Sequence, residues 1–185
     1  MSAYAYLLIA FATILWFAPF VAGRARRRTA PKRDTRARWG IALQCLAYSL
    51  LWQSSFWERS LEWWRASASV AFFTVACVVS WTAARALGRQ FQFDAAVDTT
   101  HELVQAGPYR LVRHPIYASM LCVLLATGIL ISPLYLLVAA TAVFLTGTEI
   151  RMRVEDKLLA SHFGTQFRNY RQSVPRLVPF LKWRT

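Results

Sequence analysis

The chain has 185 residues, of which 56% are hydrophobic and only 17% are charged, and its formal net charge is +13. In soluble domains roughly a quarter of all residues are charged, so this composition indicates a membrane protein. The positive charge does not indicate nucleic-acid binding, because it is grouped between apolar stretches too long for ordinary core helices. The three cysteines lie in apolar stretches without metal-site spacing, and their odd number argues against a disulfide framework.

Five apolar segments predict membrane-spanning helices, each of which needs roughly 20 residues to cross a bilayer. In chain order they are residues 3–21, 41–57, 66–84, 116–131 and 134–148. The first is interpreted as a span and not as a cleaved signal peptide, because arginines follow it instead of preceding it. The last two are short and separated only by Ser132 and Pro133, which predicts a tight helical hairpin. The sequence therefore predicts an all-α integral membrane protein with a helical C-terminal tail.

The basic residues predict the orientation of these spans. Segment 24–38 has eight basic residues and one acidic residue. Loop 85–113 has four basic and three acidic residues, and the tail after residue 150 has eight basic and two acidic residues. Loop 58–65 has two of each. The positive-inside rule then places the C-terminus in the cytoplasm and the N-terminus outside. Segment 24–38 is interpreted as a topology signal; the alternative is binding of anionic lipid, worth about 1 kcal/mol per basic residue.

Residues that could carry chemistry concentrate in two polar segments, 101–117 and 149–170. Because a hairpin returns the chain to the side that it left, we expect these segments to meet at the cytoplasmic face. If the fifth helix continues beyond the membrane, Arg151 and Glu155 lie one turn apart on one face. Asp156 then points about 100° away and is the weaker candidate. The alternative for Arg151 and Glu155 is a surface ion pair worth about 0.3–0.5 kcal/mol.

The first polar segment predicts an anion site at a helix N-terminus. Gly107 and Pro108 indicate a turn, and Pro115 is suited to the first position of the fourth helix, where its missing N–H costs nothing. Arg113 and His114 would then lie beside outward-pointing N–H groups that favour an anion. The alternatives are an arginine that extends to the membrane interface and a histidine that only caps the helix.

Short motifs recur in order on both sides of the hairpin. They comprise His101, Leu103, Val104, Gly107 and Tyr109; Arg113, His114, Pro115 and Tyr117; Arg151, Glu155, Asp156 and Leu159; Phe163 and Gly164; and Val174, Pro175, Pro179 and Phe180. Together they resemble the isoprenylcysteine carboxyl methyltransferase family, within a wider group that includes membrane phospholipid methyltransferases. The resemblance divides the chain into N-terminal transmembrane helices, residues 1–86, and a catalytic region, residues 87–185.

The resemblance implies a binding site for S-adenosylmethionine and a role for individual residues. The positions matching the family's cofactor site are His101, Glu102, Leu103, Val104, Tyr109, Arg113, His114, Pro115, Ile116 and Glu155. Arg151 matches the arginine that faces the substrate carboxylate. The implied enzyme transfers a methyl group from S-adenosylmethionine, with S-adenosylhomocysteine as product, and needs no metal.

The acceptor expected from this resemblance is the carboxylate of a prenylated or lipid-like substrate that enters from the bilayer. A carboxylate is already ionised at pH 7, so no general base is needed. One alternative is a phospholipid amine, whose proton His114 or Glu155 could remove. The other is a non-enzymatic membrane protein that retains the fold and has no affinity for the cofactor.

Overall fold

The computed structural model describes residues 3–22, 36–53, 62–88 and 103–179, and within them the chain is all-α. Its helices are α1 (Ala3–Ala22), α2 (Arg36–Leu50), α3 (Trp63–Leu87), α4 (Pro115–Ile131), α5 (Leu134–Phe163) and α6 (Thr165–Ser173), with a short 3-10 turn at Gly107–Arg110. This confirms the predicted class. Most of the basic segment, the end of the second predicted span, His101, Glu102 and Phe180 lie outside the described residues.

Three of the described helices, α1, α3 and α5, are long and apolar enough to cross a membrane. Helix α4 is a shorter apolar helix of 17 residues, and α2 has 15. Large apolar side chains face outward on the long helices, among them Phe11, Val78 and Val138. An apolar outer surface of this kind suits contact with lipid. The fold is therefore that of a membrane protein, and the prediction of five spans stays a prediction.

Helix α5 continues without interruption well beyond its apolar part. Its 30 residues extend over about 45 Å, whereas the hydrocarbon core of a bilayer is about 30 Å thick. The apolar residues occupy 134–148, and the charged residues begin at Glu149. The helix ends at Gly164, whose φ of 51° is a backbone conformation that other residues rarely adopt. The second half of α5 thus projects polar side chains beyond the membrane-spanning part.

The helices pack in the order α1, α3, α4, α5 and α2. Indole groups attach α1 to its neighbours: Trp16 Nε1 donates to Ser119 Oγ on α4 at 3.1 Å, and Trp81 Nε1 on α3 donates to the carbonyl of Leu15 at 2.9 Å. The common core contains the fully buried Leu124 of α4 and Phe144 of α5. Helix α2 packs against α5, although the two helices are far apart in the chain.

The predicted hairpin of α4 and α5 is present, with only Ser132 and Pro133 between the helices. The backbone N–H of Ser132 donates to the carbonyl of Gly128, and its hydroxyl donates to the carbonyl of Leu51 at the end of α2. A Cβ at Gly128 would lie 2.4 Å from Leu137 Cδ1, so the two helices approach closely at this turn. The hairpin returns the chain to the N-terminus of α4, where the polar segments meet.

The tail after α6 closes over that N-terminus. The backbone N–H of Arg113 donates to the carbonyl of Pro175 at 2.8 Å, and the N–H of His114 donates to the carbonyl of Arg176 at 3.0 Å. These bonds satisfy two N–H groups that precede the first turn of α4. We call residues 174–179 the C-terminal strap.

Candidate active site at the ends of α4 and α5

Asp156 lies at the centre of the polar cluster. Its side chain, 6% exposed, accepts hydrogen bonds from Arg113 Nη1 at 2.9 Å, from Arg176 Nε at 3.1 Å and from His114 Nε2 at 3.0 Å. Burial disfavours the charged carboxylate, yet the hydrogen bond with His114 and the positive charges of His114, Arg113 and Arg176 lower the pKa of Asp156 to about 2. Asp156, the weaker candidate on the sequence alone, thus holds the cluster together.

Glu155 lies next to Asp156 on α5 and points to a more open side of this helix. Its side chain is 24% exposed and accepts a hydrogen bond from the hydroxyl of Tyr117. His114 Nδ1 lies 3.4 Å from Glu155 Oε2, so the imidazole bridges the two neighbouring acids. Burial disfavours the charged imidazole, but hydrogen bonds with Asp156 and Glu155 raise the pKa of His114 above its ordinary value. An acid thus faces each ring nitrogen of His114.

Arg151 contacts residues of three helices. Its Nη2 lies 4.0 Å from Glu155 Oε1 one turn along α5, and its guanidinium lies 5.1 Å from the centre of the Tyr117 ring on α4. Its Nη1 donates to Gln44 Oε1 on α2 at 3.2 Å. Gln44 Nε2 in turn donates to Thr148 Oγ1 at 2.9 Å. This chain of polar contacts extends from the cluster into the apolar part of the protein.

Three N–H donors of Arg113 bond to the protein itself. Besides the bond to Asp156, Nε donates to the carbonyl of Val174 at 3.1 Å, and the backbone N–H bonds to Pro175. A cofactor carboxylate would compete with these acceptors. The proposal that Arg113 binds such a carboxylate directly stays a prediction, and the observed contacts give Arg113 a second task, which is to hold the C-terminal strap.

Tyr109, another predicted cofactor residue, is buried in the 3-10 turn. Its carbonyl accepts a hydrogen bond from the hydroxyl of Tyr170 on α6 at 2.6 Å. Burial raises the pKa of the Tyr109 hydroxyl above its ordinary value. The apolar members of the predicted site lie on both sides of this turn; Leu103, Val104 and Ile116 are half-buried, and Pro115 is buried.

Two residues of the cluster were not predicted from the sequence. Arg176 of the strap donates to Asp156 and, through Nη1, to Glu149 Oε1 at 2.8 Å. Gln44 occupies α2, a helix with no family motif. Gln44 could have been identified from the sequence, because its amide lies inside an apolar span. Polar side chains are rare in membrane helices unless they have a partner or a function.

Comparison with known proteins places the cluster inside a recognised family region. The family model described as phospholipid methyltransferase matches residues 64–166, which include α3 except Trp63, and all of α4 and α5. The match therefore contains Arg113, His114, Arg151, Glu155 and Asp156. It does not extend to Gln44 or Arg176.

Curated relatives fall into two groups. Protein-S-isoprenylcysteine O-methyltransferase B of Arabidopsis thaliana is 29% identical over 123 residues, which are 65% of this chain and 62% of the relative. Methanethiol S-methyltransferase of Pseudomonas deceptionensis is 35% identical over 75 residues, which are 40% of this chain and 27% of that protein. The chain thus spans less than two thirds of the length of the Arabidopsis relative that it matches.

Proposed function

Because the chain belongs to the phospholipid methyltransferase family, we propose that it is an integral membrane methyltransferase that uses S-adenosylmethionine to methylate a carboxylate of a prenylated or lipid-like substrate. The observation that carries this proposal is the position of Arg151. Its Nη2 lies 4.0 Å from Glu155 Oε1, and in the sequence of α5 Arg151 follows closely on the apolar part of the helix. We propose that a lipid-borne acid reaches Arg151 from the bilayer and that the polar cofactor reaches Glu155 from the aqueous side.

The chemistry of the side chains fits the cofactor. S-adenosylmethionine carries an ammonium group, a sulfonium and ribose hydroxyls, all of which suit a carboxylate that a ligand can reach. Glu155 is the more accessible of the two adjacent acids, because its side chain is 24% exposed and that of Asp156 is 6% exposed. Tyr117 and His114 fix the orientation of this carboxylate. When bound, the cofactor supplies a methyl group activated by a sulfonium.

The protein's own contribution is alignment and exclusion of water. Asp156 ties α5 to the N-terminus of α4 and to the C-terminal strap, so that Glu155 and Arg151 are held on a rigid frame. Arg151 orients the acceptor carboxylate, for which a guanidinium has matching geometry. Correct placement of two reactants can supply several kcal/mol of a reaction barrier, about 7–11 in favourable cases.

The acceptor is proposed to be a carboxylate because amine and thiol acceptors must lose a proton. His114 is poorly suited to take that proton, since both of its ring nitrogens face carboxylates. Glu155 already accepts hydrogen bonds from its neighbours. A carboxylate acceptor needs no base. The five-span topology with the site in the cytoplasm accords with this arrangement and is part of the proposal.

Calorimetric binding of S-adenosylmethionine and S-adenosylhomocysteine to the detergent-purified chain tests the proposal. Glu155→Ala should weaken binding at least about tenfold, the effect of losing one hydrogen bond to a charged group. Arg151→Ala should retain binding and lose turnover of a farnesylated cysteine acceptor. Arg153→Ala, at an exposed position on the same helix, is the matched control.

The outcomes separate the candidate functions. Equal loss of binding in the Glu155 and Arg151 variants would contradict the division of roles between the two residues. If folded wild-type protein binds neither compound in detergent or in lipid, the non-enzymatic alternative replaces the proposal.

A further inference from the structure

The C-terminal strap is joined to the cluster by its backbone and by one side chain. The carbonyl of Pro175 accepts a hydrogen bond from the backbone N–H of Arg113 at 2.8 Å. The carbonyl of Arg176 accepts one from the backbone N–H of His114 at 3.0 Å. The strap backbone therefore fixes the two residues that precede α4, and the Arg176 side chain extends from the same point toward α5.

The guanidinium of Arg176 bridges two acids of α5. Its Nη1 donates to Glu149 Oε1 at 2.8 Å, its Nε donates to Asp156 Oδ2 at 3.1 Å, and its Nη2 lies 3.0 Å from the same Asp156 oxygen. Positions 149 and 156 are about two turns apart, so both acids lie on one face of α5. The forked guanidinium can bond to both acids at once, which suits an arginine better than a lysine. The Arg176 side chain is 13% exposed, so water screens these ion pairs less than it screens surface pairs.

His114 depends on Arg176 at two points. Its backbone N–H is bonded to the Arg176 carbonyl, and its Nε2 lies 3.0 Å from Asp156, the acid that the Arg176 guanidinium also contacts. On its other side, Nδ1 of His114 lies 3.4 Å from Glu155 Oε2. A continuous set of contacts thus leads from the strap through Asp156 and His114 to Glu155, the more accessible acid of the cluster.

We propose that Arg176 is a positioning residue for the cofactor site. By fastening the strap to α5 it holds His114, and through His114 it holds the Glu155 carboxylate in the orientation that receives the cofactor. Arg176 itself does not touch the cofactor. This inference rests on the proposed function, and it assigns a task to a residue beyond residue 166, where the match to the family model ends.

The test measures calorimetric binding of S-adenosylhomocysteine to the full chain in detergent. Arg176→Gln removes the charge that joins the two acids and should weaken binding about tenfold, since groups that orient a binding residue typically have effects of this size. Arg176→Lys keeps the charge and can still pair with Asp156, so it should recover part of the affinity. Ser132→Ala removes a buried hydrogen bond at the opposite end of α4 and is the control for stability. It should lower the melting temperature and leave the affinity unchanged.

A double variant identifies the route through Glu155. In a Glu155→Ala background, Arg176→Gln should change the affinity less than about twofold, because the two residues act in series. A second measurement needs only the wild-type protein. If the fastened strap favours binding of S-adenosylhomocysteine, the bound compound must in turn stabilise the strap. Amide hydrogen exchange of residues 176–178 should therefore slow when S-adenosylhomocysteine is added.

The inference is overturned by any of three results. The first is an Arg176→Gln variant whose affinity stays within about twofold of wild type. The second is a full further loss in the Glu155→Ala background, which would make Arg176 a direct ligand of the cofactor. The third is strap exchange that bound S-adenosylhomocysteine leaves unchanged, and this result decides the question if Arg176→Gln does not fold.

Failure of the proposed function has a different signature, because it appears in the wild-type protein. A wild type that binds no S-adenosylhomocysteine overturns the cofactor site and this inference together. A wild type that binds the compound but transfers no methyl group to a farnesylated cysteine overturns the proposed reaction alone. Failure of this inference alone leaves wild-type binding and turnover intact.

Discussion

Replacing Asp156 with asparagine removes one negative charge from the centre of the cluster and changes the volume very little. The guanidinium groups of Arg113 and Arg176 then lose the carboxylate that they share, as does His114. The remaining amide can accept hydrogen bonds but offers no charge. Because the C-terminal strap is fastened to α4 and α5 through this carboxylate, we expect Asp156→Asn to lower the free energy of unfolding.

The magnitude can be bracketed in two ways. The pKa of Asp156 falls from an ordinary value of 3.8 to about 2, and at about 1.4 kcal/mol per pH unit this corresponds to about 2 kcal/mol. Removing one partner of a buried ion pair typically costs about 3–5 kcal/mol, because the remaining charge stays buried. The expected loss is therefore about 2–5 kcal/mol, or a decrease of about 10 °C in melting temperature for a chain of this size.

Thermal unfolding of the detergent-solubilised protein, followed by tryptophan fluorescence, measures this loss. Since the pKa of Asp156 is lowered on folding, its stabilisation is complete above about pH 4 and is lost as the pH falls toward 2. The hydrogen bond with Asp156 also raises the pKa of His114 from its ordinary value of 6.5, and the stabilisation from this bond is complete only below that value. The difference between wild type and Asp156→Asn should therefore be largest between about pH 6 and about pH 4 and should shrink below pH 4. Lys157→Ala, an exposed change on the next residue, should show no difference. Equal melting temperatures at pH 7, or a difference that persists at pH 2, would refute the reasoning.

Two further changes test how the tail is joined to the helices. Gly164→Ala forces a side chain into a conformation with φ of 51° and should cost about 1–3 kcal/mol of stability, whereas Ser161→Ala, exposed one turn earlier, should stay within about 0.5 kcal/mol of wild type. Tyr170→Phe removes the buried hydrogen bond to the Tyr109 carbonyl and should cost about 1–3 kcal/mol, because that carbonyl is left unpaired. Thermal unfolding measures both, and a Tyr170→Phe variant as stable as wild type would show that the bond holds nothing in place.

The sequence predicted those parts of the fold that depend on local chemistry. An apolar run interrupted only by Ser132 and Pro133 strongly favours a helical hairpin, and the hairpin is present. The continuation of α5 to Phe163 also follows from local preference, because the polar residues after Glu149 include no helix breaker before Gly164. Both predictions depend on neighbours in the chain.

The partners of the cluster could not be predicted in this way, because they come from distant positions. Helical geometry correctly puts Glu155 and Asp156 about 100° apart, but it does not reveal that His114 fits between them and touches both. Gln44 and Arg151 are separated by 107 positions, and Arg176 reaches Asp156 only because the strap returns across α4. Such contacts depend on how the helices pack, about which the pattern of a single sequence says little.

The two adjacent acids divide the charges of the site unequally, and this division bears on turnover. Asp156 is neutralised by Arg113 and Arg176, while Glu155 is shared between His114 and Arg151. An acceptor carboxylate would be a second anion beside Arg151. Under the proposed function, methylation converts that carboxylate into a neutral ester, and the donor loses its sulfonium charge in the same step. The attraction between Arg151 and the acceptor therefore weakens as the product forms, so an arginine that binds the substrate does not hold the ester.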